Sequence, residues 1–207
     1  MKLFSNNEII KDYFKKSIND NNLELELIFG HTPKDNPMNK NSFMKILNAC
    51  KTKYEKASET IDLDIRLDYK GNPSSVRATI HGLDSIKKYC KNNDLLSVKK
   101  NLEFIEKKNS NRTGYTTIRD DDFNVRMTLK DEVRLPMNHR FVTSYMNKVD
   151  TKSKHFRYKK RVSFFTNDRL FKIDLTVVKG TPYFKGKYNF KKSFKESNIL
   201  NIRKHMN

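Results

Sequence analysis

No uninterrupted apolar run in this chain approaches the roughly 20 residues that a membrane-spanning helix needs. The opening stretch MKLFSNNEIIKDYFKK has no continuous apolar core, so it does not read as a secretory signal peptide. Only two cysteines are present, Cys50 and Cys90, and neither lies in a CxxC or Cys/His spacing. Both are expected as reduced, partly buried thiols of an intracellular protein. No GxxxxGK[ST] loop occurs, which argues against a P-loop nucleotidase. No Cys-x5-Arg loop occurs either, which argues against cysteine-phosphatase chemistry. Acidic residues are scarce, with 24 Asp+Glu against 43 Lys+Arg, a net charge of +19. From Thr151 to Asn207 the count is 16 Lys or Arg against 3 Asp or Glu, which supplies +13 of that excess.

What is present is a strongly basic chain of 207 residues, the length of one domain. Such a charge concentrates polyanions and speeds their capture, and nucleic acid is the default partner. A Lys- and Asn-rich solvated surface is also what an AT-rich genome yields, so composition by itself leaves both readings open. The apolar fraction of 36% implies a modest core with some polar surface turned inward.

Residues 1–18 read as an amphipathic helix, with Ile9, Ile10, Tyr13, Phe14 and Ile18 at helical spacing. Leu23 to Phe29 (LELELIF) alternates at period two and reads as a strand. Pro33 and Pro37 punctuate a loop, and Ser42 to Lys56 reads as a helix. Strands are expected over Ile61–Leu67 and Val76–Ile80, then a short helix over Gly82–Lys91. Leu95–Ile105 fits either period, and Asn109–Gly114 is a loop. Four further strands are expected over Phe123–Arg134, Arg140–Lys148, His155–Phe165 and Arg169–Val178. The whole is one mainly β domain, 1–207, with an N-terminal helix within 1–22 and a basic C-terminal segment, 179–207.

The polar faces carry the functional signal. Alternation puts Glu24 and Glu26 on one face of their strand, opposite Leu23, Leu25, Leu27 and Phe29. In the same way Asp62, Asp64 and Arg66 oppose Ile61, Leu63, Ile65 and Leu67. Arg77 and Thr79 oppose Val76, Ala78 and Ile80. Arg126, Thr128, Lys130 and Glu132 oppose Val125, Met127, Leu129 and Val133. Arg157, Lys159 and Arg161 form a row of three cations, and Lys172, Asp174 and Thr176 share a face of the next strand. An ordinary antiparallel sheet with one solvated face shows the same alternation. Neighbouring like charges repel, however, so a cation row makes better sense against a polyanion. Two carboxylates at i and i+2 likewise make better sense around a divalent cation, which prefers carboxylate and phosphate oxygens.

This ordered set of motifs, from about Leu23 to Val178, resembles the triphosphate tunnel metalloenzymes. The likeness is strongest to the RNA 5′-triphosphatase modules of mRNA-capping enzymes from large DNA viruses. The resemblance implies an eight-stranded antiparallel tunnel with a hydrophilic interior and a few flanking helices. It implies that Glu24 and Glu26 hold Mg²⁺ or Mn²⁺ and that Arg157, Lys159, Arg161 and Lys172 grip substrate phosphates. Arg66, Arg77, Arg126 and Lys130 supply further phosphate contacts, Asp174 orders the water and the cations, and Glu132 is an internal partner for a cation. One departure stands out. The family carries a second acidic strand near the end of its domain, whereas here Glu196 is the only acid after Val178. That leaves the metal site and the tunnel incomplete at the C-terminal end, with Asp62 and Asp64 as the less favoured substitutes.

The implied activity is removal of the γ-phosphate from nascent RNA 5′ ends, the first step of cap formation, in company with guanylyltransferase and methyltransferase components. The implied setting is a host cytoplasm or the virion of a large DNA virus. Two alternatives stay open: a non-catalytic RNA-binding subunit, and a tunnel-fold phosphatase acting on small triphosphates. The five scattered histidines have no metal spacing and read as structural. Tyr183, Phe184, Tyr188, Phe190 and Phe194, interleaved with lysines, read as packing or as a single-strand RNA stacking surface.

Overall fold

The computed structural model describes Lys15 and residues 23–29, 39–109, 117–120, 125–181, 183–184 and 187–199. The expected helix over 1–18, apart from Lys15, and the loop through Pro33 and Pro37 lie outside them. In chain order the elements begin with β1 (Leu23–Phe29), α1 (Lys40–Lys53), β2 (Glu55–Tyr69), β3 (Asn72–Pro73) and β4 (Val76–His81). Helix α2 (Leu83–Asn92) and a 3₁₀ turn (Leu96–Asn101) lead to β5 (Leu102–Asn109), β6 (Thr117–Asp120) and β7 (Val125–Leu135). Helix α3 (Arg140–Met146), β8 (Lys154–Phe165), β9 (Lys172–Gly180), β10 (Tyr183–Phe184) and β11 (Lys187–Tyr188) complete the set. The chain is mainly antiparallel β with a few helices. Among the described residues no helix is long and apolar enough to cross a membrane.

The chain divides into two compact units, Met1–Ile46 with Glu106–Val133, and Leu47–Ile105 with Arg134–Asn207. In the first, β7 pairs antiparallel with both β1 and β6. Glu24 is the register partner of Lys130, Glu26 of Thr128 and Ile28 of Arg126, so these positions share one face of the ladder. Met127 on the other face is buried, as its alternation requires, but its register partner Leu27 is 38% exposed.

The second unit holds the sheet order β5-β4-β2-β8-β9, with β3 on β2. Leu63 and Ile65 of β2, Ala78 and Ile80 of β4, and Phe156 and Tyr158 of β8 bury one face. Ile86 and Tyr89 of α2 and Val142 and Tyr145 of α3 are buried as well. The Tyr145 hydroxyl donates to the Ile65 carbonyl at 2.9 Å, and its ring meets Phe104 edge-on at 5.4 Å, which ties α3 to the sheet. Phe194 stacks on Tyr158 and tilts against Phe156, so it belongs to this core rather than to a stacking surface. At its far edge β9 has no further strand among the described residues, and the described strands of this unit form an open sheet.

Two expectations change. Residues 140–148, expected as a strand, form helix α3 instead. Leu135, Pro136 and the following turn break the chain, and the His139 side chain accepts from the Phe141 N–H at 3.3 Å at the helix start. Burial then falls at Val142 and Tyr145, an i, i+3 pair, which is helical spacing. The ambiguous stretch 95–105 resolves into the 3₁₀ turn followed by β5. Helix α1 starts earlier than read, because the Asn39 side chain accepts from the Ser42 N–H at 2.9 Å.

Candidate phosphate-binding face

The register of β2 with β8 sets Asp64 across from Arg157, Asp62 across from Lys159 and Arg66 across from His155. The register of β8 with β9 sets Arg161 across from Thr176 and Ser163 across from Asp174. On the other side of β2, Asp64 faces Thr79 and Asp62 faces His81. One face of this sheet therefore collects Arg66, Arg77, Arg157, Lys159, Arg161, Lys172 and Asp174, as alternation predicts.

This face is not an ordinary solvated one. Asp64 is 2% exposed, Asp62 and Lys159 7%, and Ser163 1%, although the opposite face of the same strands is the apolar core. Buried charges persist only when paired and hydrogen-bonded. Here the pairing is explicit. Asp64 Oδ1 takes the Lys159 ammonium at 2.9 Å, the Thr79 hydroxyl at 3.0 Å and the Arg77 Nε at 3.6 Å. Burial pushes the Asp64 carboxyl up, but the Lys159, Arg77 and Arg157 charges outweigh it and hold the group below the usual carboxylate range. Asp62 takes His81 Nδ1 at 2.8 Å and the Thr60 hydroxyl at 3.1 Å. Glu103 meets the other His81 nitrogen at 3.3 Å, and the hydrogen bond to Asp62 raises the His81 pKa above its ordinary value.

On β9, Asp174 Oδ2 holds Arg161 at 3.1 Å and Lys172 at 3.7 Å, while its Oδ1 accepts from Ser163 at 2.7 Å. Thr176 accepts from Arg161 Nε at 3.3 Å. Both oxygens of Asp174 are engaged, so its geometry is that of a residue positioning Arg161 rather than that of a free base. The row Arg157, Lys159, Arg161 thus owes two of its three charges' compensation to carboxylates of the same unit. Lys159 and Arg161 therefore need no external polyanion to offset their repulsion.

Arg157 and Arg66 are different. Among the described residues neither guanidinium makes an ion pair or a side-chain hydrogen bond, and Arg157 is exposed. Burial lowers the Arg66 pKa, and the like charges of Arg77 and Arg157 add to the effect. Both line a cleft of about 350 Å³ with His155, Gly180, Thr181 and Tyr188. The His155 Nδ1 is buried there without a hydrogen-bond partner. Burial, then the Arg157 and Arg66 charges, depress the His155 pKa from 6.5 to about 4. The sequence reads Tyr188 as packing or stacking and His155 as structural and does not single out Thr181, because no motif links β8 to the segment after β9.

A depressed histidine pKa has a definite sign. Between pH 6.5 and 4 the unfolded chain takes up a proton that the folded His155 refuses, so this group's contribution to stability falls as pH drops through that window. Proton NMR of the His155 ring is expected to show titration near pH 4. Added inorganic tripolyphosphate is expected to raise that value by neutralising the two guanidiniums. A pKa near 6.5 that tripolyphosphate leaves unmoved would place His155 outside their field.

In the first unit, positions 24 and 26 share a face by register, while the side chains of Glu24, Arg126 and Lys130 lie outside the described part of the structure. Glu132 pairs with Lys107 at 4.0 Å. Among the described residues no group of three or more His, Cys, Asp or Glu is placed to hold a metal ion. In the second unit Asp62 and Asp64 already hold His81, Lys159 and Arg77, and the second Asp64 carboxylate oxygen is buried without a hydrogen-bond partner. Two carboxylates on one strand face suit an ion of the Mg²⁺ type, whose shell water and substrate phosphates complete. They do not make a closed cage.

No family model matches the chain, and no curated protein sequence matches it. A solved structure of the Mimivirus capping enzyme triphosphatase, in its monoclinic crystal form, superposes with a TM-score of 0.57 at 19% identity. That match covers 100% of this chain and 99% of the other. The triclinic form gives a TM-score of 0.58 at 20% identity, covering 98% and 97%. The chain has the fold of that triphosphatase. In this fold the charged face of the second unit, buried at Asp62, Asp64, Lys159 and Ser163, accounts for the polar alternation of β2, β4, β8 and β9.

Proposed function

We propose that this protein is a divalent-cation-dependent 5′-triphosphatase that removes the γ-phosphate from RNA ends in preparation for capping. The observation that carries the reading is the pair of guanidiniums without an ion pair, half-buried Arg66 and exposed Arg157, on a face where six cations meet three carboxylates. A face with surplus positive charge attracts and holds an anion. The shared fold with a capping-enzyme triphosphatase supports a triphosphate as that anion.

Phosphoryl transfer needs positioning and charge stabilisation more than covalent chemistry. Arg66 and Arg157 present planar forks that take two phosphate oxygens each. Lys159, fixed by Asp64, and Arg161, fixed by Asp174 and Thr176, are already oriented before substrate arrives and cost little reorganisation during reaction. Arg77 and Lys172 add charge at either end of the row. Glu24 and Glu26 would hold the Mg²⁺ or Mn²⁺, which when bound neutralises charge developing on the phosphoryl oxygens. The guanylyltransferase and methyltransferase steps of capping are the expected downstream partners.

The test is phosphate release from triphosphate-ended RNA with Mg²⁺ or Mn²⁺. The wild type is expected to turn over, and Glu24→Gln to lose about two orders of magnitude or more, as loss of a transition-state charge partner does. Undiminished release by Glu24→Gln removes the metal role. RNA binding without any release by the wild type favours the non-catalytic RNA-binding subunit instead.

A further inference from the structure

The cleft beside the phosphate face carries aromatic residues that phosphate binding does not use. Tyr188, half-buried at the start of the C-terminal segment, meets the His155 ring edge-on at 5.2 Å and Phe190 at 6.0 Å. Gly180, the register partner of Arg157, has no side chain, and a Cβ built there would lie 3.7 Å from Arg157 Cγ. With Phe156 O at 3.5 Å as the other neighbour, a side chain there meets only ordinary contacts and would take up room in the cleft that Gly180 lines. At about 350 Å³ the cleft is at the small end of ligand pockets, room for one nucleotide and not for a chain. Tripolyphosphate alone has no use for an aromatic wall, and its charge would be met by the cations of β2, β4 and β8.

We propose that this cleft receives the nucleoside nearest the triphosphate, with its base against the Tyr188 ring and its first phosphate on Arg66 and Arg157. This rests on the triphosphatase reading and names the part of the substrate that the reading leaves open. Base–aromatic stacking tolerates any base, because each has a π face, and a guanidinium plane adds to it. Neutral His155 offers its unpartnered Nδ1 to the same ligand without adding to the repulsion between Arg66 and Arg157. The aromatic and lysine interleaving of the C-terminal segment thereby splits. Phe194 serves the core, and Tyr188 serves the cleft. The ligand chemistry is a nucleoside 5′-triphosphate, which an RNA end and free ATP share.

The experiment compares kcat/KM for triphosphate-ended RNA, ATP and inorganic tripolyphosphate in wild type, Tyr188→Ala, Tyr188→Phe and Gly180→Val. Tyr188→Ala is expected to lower the RNA value about tenfold more than the tripolyphosphate value, as loss of one stacking partner does. Tyr188→Phe keeps the ring and is expected to restore the ratio. Gly180→Val, at a backbone position that admits a side chain, is expected to fill the cleft and shift the ratio in the same direction as Tyr188→Ala. Loss on RNA and ATP alike assigns the cleft to any nucleoside triphosphate, and loss on RNA alone assigns it to the RNA end. Equal loss on all three substrates, or no loss on RNA, overturns the proposal. If the wild type hydrolyses none of them, the triphosphatase reading fails by itself, and binding of labelled triphosphate-ended RNA decides the cleft. Tenfold weaker binding by Tyr188→Ala, with tripolyphosphate competing as in wild type, then supports it, and unchanged RNA affinity overturns it.

Discussion

Asp64→Ala is expected to lower the stability of the protein by about 3–5 kcal/mol, the usual cost of removing one partner from a buried ion pair. Asp64 is 2% exposed and is the only carboxylate within ion-pair distance of the Lys159 ammonium among the described residues. Its loss strands Lys159 in a site 7% exposed, leaves the Thr79 hydroxyl without its acceptor and removes a 3.6 Å partner of Arg77. Domains of this size hold only about 5–15 kcal/mol in total, so the variant would be close to unfolding at physiological temperature. Urea denaturation measures it directly, as a fall in midpoint at constant slope. The double change Asp64→Ala with Lys159→Met is expected to recover most of the loss, because it removes the stranded charge along with its partner. A single variant within about 1 kcal/mol of wild type would mean that the pair is hydrated and its burial inconsequential.

The same pair gives a pH dependence whose sign follows from the depressed carboxyl. A folded-state pKa below the unfolded value of about 3.9 means that the stabilisation is fully present above that value. It is lost as pH falls through the folded pKa. His155 acts earlier, between pH 6.5 and 4, where the raised pKa of His81 works in the opposite sense and adds stability as pH falls. Asp62 is depressed like Asp64, so Asp64→Ala removes only its own share of the loss at lower pH.

Alternation made the charged face legible. Strands β2, β4, β8 and β9 each have period two, and period two fixes which residues share a face whatever the partner strand is. Register is what the residues alone did not reveal. That Asp64 lies against Lys159, and Asp174 against Arg161, depends on how strands far apart in sequence align, and the repulsion within the cation row looked unrelieved without it. Helix α3 failed for a local reason. RFVTSYM is rich in β-branched and aromatic residues that favour strands, but Val142 and Tyr145 reach the core only at helical spacing. His155 carries no motif, and Tyr188 lies in an aromatic and lysine run that fits packing as well as stacking. Their role arises only because β8 and the segment after β9 return to one cleft.

Arg157→Ala is expected to lower kcat/KM on triphosphate-ended RNA by about 10²- to 10³-fold, the range seen when one preorganised donor to a developing charge is removed. Its effect on folding is expected to be the opposite of Asp64→Ala. Arg157 is exposed and makes no ion pair among the described residues, and of the charges it acts on, only the Asp64 carboxylate is favoured by it, behind the influences of Lys159 and Arg77 on that group. Its neighbour Arg66 carries a lowered pKa, first from burial and then from the Arg77 and Arg157 charges, and removing Arg157 relieves part of that. The melting temperature is therefore expected to stay level or rise while turnover collapses. Arg157→Lys separates charge from shape. It keeps a cation but loses the planar fork, and is expected to retain activity between those of the alanine variant and wild type. Activity within threefold of wild type in Arg157→Ala would show that the triphosphate is held elsewhere. A lowered melting temperature accompanying the lost turnover would instead give Arg157 a structural partner and take the phosphate role away from it. A residue that weakens the fold and strengthens the reaction is what a substrate-completed charge cluster requires.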